Sequence, residues 1–239
     1  MALLELARLY WDSDLRWLPA DVGLYRHHVE TRADYYNYVL ETLNNVTDAY
    51  FPFYTPLISK YWPEPQKRAV MVDRLFIDID VRENDTLGGI WNQSKVFLSR
   101  FWDNIDLFFS GSKGFHMKVY INPVTYGELH EQRNRLYDVF CTWFQYLHDK
   151  KAFLSLDRIC RITLTKHSGT PIRWKVPVDP SMTIEEIMQR SRFPERVVNK
   201  MYALYKRQPQ PLDWKVFLRS PDELLRSESL NRVDTGGRP

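Results

Sequence analysis

Hydrophobic positions along the chain recur with two different periods. In "DYYNYVLETLNNVTDAYF", Tyr35, Val39, Thr42, Leu43, Val46 and Tyr50 return at helical spacing, and Pro52 and Pro56 in "FPFYTPL" end the pattern. Residues 1–65 therefore read as mostly helical. The period then drops to two. Within a strand predicted over residues 70–82, Ile77, Ile79 and Val81 share one face while Asp78 and Asp80 share the other. A helix is predicted over residues 91–103, and "IDLFFSGSKGFHMKVYI" then reads as strand, turn and strand, with "GSKG" as the turn. Phe115, Met117, Val119 and Ile121 alternate inward after that turn, which aims His116 and Lys118 the opposite way.

Capping-box patterns open two further helices. Thr125 with Glu128 begins one that runs to about residue 148, and Thr183 with Glu186 begins a helical region reaching about residue 206. Between them, "FLSLDRICRITL" leads through a loop at "KHSGTP" into the strand-like "IRWKVPV". Beyond Pro209 the chain turns polar. The expected organisation is one domain over residues 1–208 with a helical N-terminal region, and a tail or linker over 209–239 leading toward a helicase or other domain. No internal repeat is visible. Strands in the middle, bracketed by helices, predict an α+β fold with a central antiparallel or mixed sheet.

Composition narrows the class. Hydrophobic residues at 44% and charged residues at 26% are ordinary for a soluble globular protein. A net charge of +3 is too small to signal nucleic-acid binding, so any basic surface is local. Cys141 and Cys160 are the only cysteines; they give no disulfide framework and cannot build a cysteine-rich zinc site, so no zinc is expected. No apolar run approaches the roughly 18 residues of a membrane span, and "MALLELARLYWDSDLRW" is not a signal peptide. These features predict an intracellular protein, cytoplasmic or nuclear, without a membrane partner.

Three segments carry candidate chemistry. Asp78 and Asp80 are like charges on one strand face, costly unless something positive sits beside them, and hard carboxylate oxygens suit Mg²⁺ or Mn²⁺. In "SGSKGFH", Ser110, Ser112, Lys113 and the backbone N–H groups near two glycines form an anion site suited to a polyphosphate, without the spacing of a P-loop. In "SLDRICRITLTKHSGTP", Asp157 precedes Arg158, Arg161, Lys166 and His167 within ten residues. Each segment alone also fits a plainer reading: exposed strand charges, a decorated hairpin, a basic surface loop. Together they divide the labour that nucleotidyl transfer requires, carboxylates for metals and cations for phosphates.

The order of these motifs resembles the archaeo-eukaryotic primase superfamily. "FIDID" is similar to its first motif, "SGSKGFH" to its second in the form found in ligase-associated polymerase domains, and "LD" followed by Arg161 and His167 to its third. The resemblance spans Asp78 to His167, and the "WKVPV" strand also fits; the flanking regions carry no matching motif. It implies an RRM-like primase-polymerase core in which Asp78, Asp80 and Asp157 bind two divalent metals, Mg²⁺ or Mn²⁺. Ser110, Ser112, Lys113, His116, Arg161 and His167 would then hold the incoming NTP or dNTP, with Gly111 and Gly114 letting the backbone approach its phosphates. The implied activity is a DNA primase or primase-polymerase working on a single-stranded DNA template and primer. The missing zinc knob and the short spacing from Asp157 to Arg161 are similar to plasmid-, virus- or defence-associated members. Two alternatives stand beside it: a metal-dependent nuclease, and a non-catalytic nucleic-acid-binding subunit with the same fold.

Overall fold

The amphipathic N-terminus forms a helix, α1 (Leu3–Asp14), that buries Leu6, Ala7, Tyr10, Trp11 and Asp14. A hairpin of two short strands follows, β1 (Ala20–Val22) and β2 (His27–Val29), then α2 (Arg32–Asn44) and β3 (Tyr50–Pro52). A short helix α3 (Glu64–Arg68) leads into β4 (Met71–Asp80), and α4 (Leu87–Phe101) connects it to the hairpin of β5 (Ile105–Phe109) and β6 (Gly114–Thr125). Two helices, α5 (Tyr126–Glu131) and α6 (Arg133–Trp143), precede four short strands: β7 (Ile159–Arg161), β8 (Lys166–His167), β9 (Arg173–Trp174) and β10 (Val176–Pro177). Helices α7 (Ile184–Arg192) and α8 (Val198–Tyr205) follow, and a short 3-10 helix over Trp214–Leu218 is the last described element. This architecture comes from a computed structural model, which describes all residues other than 16, 55–62, 82–85, 145–152, 157, 170, 220–222 and 224–239.

The central sheet runs β10-β5-β6-β4, with every neighbouring pair antiparallel. The fold is α+β. Alternation along β4 and β6 places Ile77, Ile79, Phe115, Met117 and Val119 on one face, all fully buried. That face packs on α4, where the Trp91 ring stacks 5.1 Å from Phe115. Behind it, Phe97 meets Phe140, Phe144 and Phe217 in an aromatic cluster. Burial of these large rings supplies most of the drive for the two layers to associate.

The opposite face is covered over half its length. Helix α1 lies on it, with Tyr10 edge-on to Phe108 at 6.0 Å and Trp11 Nε1 donating to the Thr163 carbonyl at 2.8 Å. Beneath α1, Lys118 donates to Asp14 at 2.5 Å, and both side chains are essentially inaccessible. Among the described residues, the other half of the face borders a cavity instead.

Several sequence-based expectations need correction. The N-terminal region, expected to be mostly helical, is interrupted by β1, β2 and β3, each of three residues. Such short strands leave too few positions for a period of two to register. The helix opened by Thr125 has its capping box but divides at Gln132 into α5 and α6. The helical region opened by Thr183 is likewise divided at Phe193, which stands before Pro194 and leaves helical geometry at φ −133°, ψ 59°. The polar stretch after Pro209 is not a tail in its first part. Leu212 bridges to Ile121, and Trp214 and Phe217 are buried, Phe217 completely. Among the described residues no helix is long and apolar enough to cross a membrane.

Candidate active site

The open half of the sheet face forms the floor of a cavity of about 250 Å³. Its lining includes Asp78, Asp80, Ser110, Ser112, Lys113, His116, Arg161 and His167. Three segments singled out separately in the sequence thus meet at one place. Asp157, the remaining candidate, lies outside the described residues. Of the two cations left without a role, Arg158 lines the cavity; Lys166 instead donates to the Leu43 carbonyl at 3.3 Å.

Strand register explains the convergence. Asp78 stands directly opposite His116, and Asp80 opposite Gly114. His116 Nε2 lies 3.6 Å from Asp78 Oδ1, and Lys113 Nζ lies 3.5 Å from Asp80 Oδ2. A Cβ on residue 114 would come within 2.0 Å of the Ile79 carbonyl and 2.5 Å of the Asp80 carboxylate. Gly114 is therefore required by its neighbour strand. Gly111 has a different reason, since its φ of +86° suits glycine in the tight turn between β5 and β6. The turn is closed by Ser110 N–H donating to the Gly114 carbonyl at 2.9 Å.

Electrostatics around the carboxylates is arranged by the third segment. Arg158 Nη2 contacts Asp78 Oδ2 at 2.5 Å, with its guanidinium 4.9 Å from the Phe76 ring. Arg161, expected to face an anion, is instead turned to Asp48 at 2.5 and 3.3 Å and to the Tyr50 hydroxyl at 3.2 Å. Burial works against the Asp48 carboxylate, but the Arg161 guanidinium and the Ser168 N–H outweigh it and bring its pKa down to about 2. His116 is pushed well below the usual histidine value, first by burial and then by Lys175, Arg161, Arg158 and Lys118. It is a neutral imidazole at physiological pH, as is His167, lowered by burial and by Arg161. Gly169 N–H donates to His167 Nδ1 at 2.7 Å, which leaves Nε2 to carry the ring proton.

The donor set fits a hard divalent cation. Asp78 and Asp80 present their carboxylates on one strand face, with side chains 20% and 16% exposed. Among the described residues no group of three or more His, Cys, Asp or Glu side chains is arranged as a complete metal site. Two carboxylates are nonetheless the usual protein share of a Mg²⁺ site that is completed by water and substrate phosphates.

Some lining residues were not anticipated. Tyr50 and Phe76 border the cavity with Cys160, whose thiol is pushed up by burial and so stays protonated. Asp48 orients Arg161 from outside the lining. A faint signal exists in "DAYF", where polar Asp48 and Tyr50 alternate with buried Ala49 and Phe51. Four residues of alternation are too few to separate a strand from a helix end.

No protein-family model matches the chain, and no curated protein matches it in sequence. Among solved structures it is similar to the polymerase domain from Mycobacterium tuberculosis ligase D in complex with DNA, with a TM-score of 0.40 and 14% identity. The alignment covers 65% of this chain and 63% of that one.

Proposed function

We propose that the chain is a DNA-templated nucleotidyltransferase of the primase-polymerase kind, adding nucleotides to a 3′-hydroxyl. The observation that carries the reading is the union, around one cavity, of two half-buried carboxylates with the Ser–Lys–His anion site of the β5–β6 turn. Carboxylates alone would serve hydrolysis as well. The adjoining turn, with Lys113 and the neutral donor His116, supplies what a triphosphate needs and a nuclease does not.

Asp78 and Asp80 are assigned as ligands of a divalent metal, with Asp157 as their third partner. When bound, Mg²⁺ or Mn²⁺ neutralises phosphate charge and activates the attacking hydroxyl. The chain's own contribution is positioning. Lys113, His116 and the Ser110 and Ser112 hydroxyls hold the phosphates, while Arg158, now neutralising Asp78, is placed to turn to a phosphate once Asp78 binds a cation. Arg161 is held rigid by Asp48, so it acts as a fixed positive charge beside the nucleotide rather than as a mobile clamp.

The test is extension of a primed single-stranded template with labelled nucleotides and Mn²⁺, alongside metal-titrated nucleotide binding. Asp80→Ala is expected to eliminate incorporation while leaving the melting temperature near that of the wild type, because the side chain faces the cavity and not the core. Wild-type extension by this variant would overturn the metal assignment. Template cleavage without any nucleotide requirement would replace the reading by a nuclease.

A further inference from the structure

The tip of the β1–β2 hairpin carries two strongly exposed apolar residues, Leu24 at 61% and Tyr25 at 98%. Single exposed hydrophobics are common, but two in succession on a tight turn are a patch in the making. The turn is firmly built. Gly23 and Arg26 hold φ at +78° and +56°, and Arg26 N–H donates to the Gly23 carbonyl at 3.2 Å. From behind, the Tyr38 ring packs so closely that a Cβ on Gly23 would lie 2.7 Å from its hydroxyl.

The turn is also tied to the wall of the candidate cavity. Gly23 N–H donates to the Tyr50 carbonyl at 2.9 Å, and Tyr50 lines that cavity beneath the Arg161 guanidinium. Tyr25 is two residues along, at most about 7 Å of chain from the anchor. Beside the tip lies a groove of about 600 Å³ bordered by Tyr25, His27, His28, Asn37, Tyr38 and Asn45. His27 and Tyr38 stack on each other at 6.0 Å and 18°. Asp34 and Glu41 also border this groove, so its charge disfavours a phosphate, and the part of a nucleotide that can lie against Tyr25 there is the uncharged base.

We propose that the β1–β2 tip is a base-stacking site, where Tyr25, backed by Leu24, stacks on an unpaired base of a single strand passing the cavity. This rests on the nucleotidyltransferase reading for the presence of the strand. It adds which part of the chain grips the strand and by which chemistry. Stacking on a tyrosine tolerates any base, because every base offers a π face, so the site would hold the strand without reading its sequence.

The test compares full-length wild type, Tyr25→Ala and Tyr25→Phe by fluorescence anisotropy on a labelled single-stranded oligonucleotide and on its abasic counterpart. Tyr25→Ala is expected to weaken binding of the normal oligonucleotide about 5- to 150-fold, the range of one lost base stack. Tyr25→Phe should keep wild-type affinity, and on the abasic strand all three proteins should bind alike. Metal-dependent nucleotide binding should not change in either variant, since Tyr25 is outside the cavity lining. Wild-type affinity in Tyr25→Ala, an equal loss on the abasic strand, or no single-strand binding by the wild type would each overturn the stacking site. Absence of nucleotide binding by the wild type would instead overturn the nucleotidyltransferase reading, and the anisotropy comparison would still decide the role of the tip.

Discussion

His116 and Lys118 sit two residues apart on the same face of β6, and their surroundings could hardly differ more. His116 borders an open cavity, with Asp78 opposite it and Arg158 pairing that carboxylate. Lys118 is sealed under α1 against Asp14, with side-chain exposures of 2% and 0%. In the sealed pair, burial alone would push the Asp14 carboxyl up. Lys118, Lys175 and the Thr163 N–H more than compensate and hold it below the usual range. In the open region Asp78 pairs with Arg158 and Asp80 with the exposed Lys113, both long side chains able to swing away. One end of the sheet face thus uses charge to hold a helix in place, and the other keeps charge available for a ligand.

The largest effect should come from breaking the sealed pair. Lys118→Ala leaves Asp14 buried without its main counter-charge, and unfolding by denaturant should show a loss of about 3–5 kcal/mol. Replacing both partners, Lys118→Met with Asp14→Leu, should recover part of that loss, since the desolvation of both charges is removed while the buried Thr163 N–H loses its acceptor. If Lys118→Ala cost no more than a surface substitution, the contrast between the two ends of the face would fail.

The open end should respond in affinity instead. His116→Ala removes a hydrogen-bond donor from a charged ligand, so metal-dependent nucleotide binding, measured by calorimetry, should weaken by about 1.5–3 kcal/mol. Its unfolding free energy should fall by less than that of Lys118→Ala. Unchanged nucleotide affinity would remove His116 from the proposed triphosphate site.

The smallest effect concerns the Asp48–Arg161 pair at the cavity edge. The folded Asp48 carboxyl titrates at about 2 against its ordinary 3.8. Its contribution to stability is therefore fully present above the unfolded value and is lost as pH falls from about 4 toward 2. Melting temperatures recorded across that window should drop more steeply for the wild type than for Asp48→Asn. Parallel curves would mean that the pair does not couple to folding.

Much of the sheet was legible because its signals are local. The alternation in β4 and β6 determined which side chains enter the core and which face away, so Asp78, Asp80 and His116 could be placed on one surface without coordinates. The Thr125, Thr183 and "GSKG" patterns located two helix starts and a hairpin by hydrogen-bonding chemistry that spans only a few residues. Strands β1, β2 and β3 were illegible for the complementary reason: three residues hold no periodicity, and they are strands because of what pairs with them.

By itself, then, the sequence determined the two faces of the central strands, the order of the chemical motifs and the inability of two cysteines to form a cysteine-rich metal site. Only the tertiary structure decided that α1 would close half of the polar face through Asp14 and Lys118, 104 residues apart. Only it turned Arg161 toward Asp48 across 113 residues, rather than directly into the cavity. Both outcomes depend on which charges are desolvated together. That depends on packing between distant segments, for which neither periodicity nor motif spacing carries information.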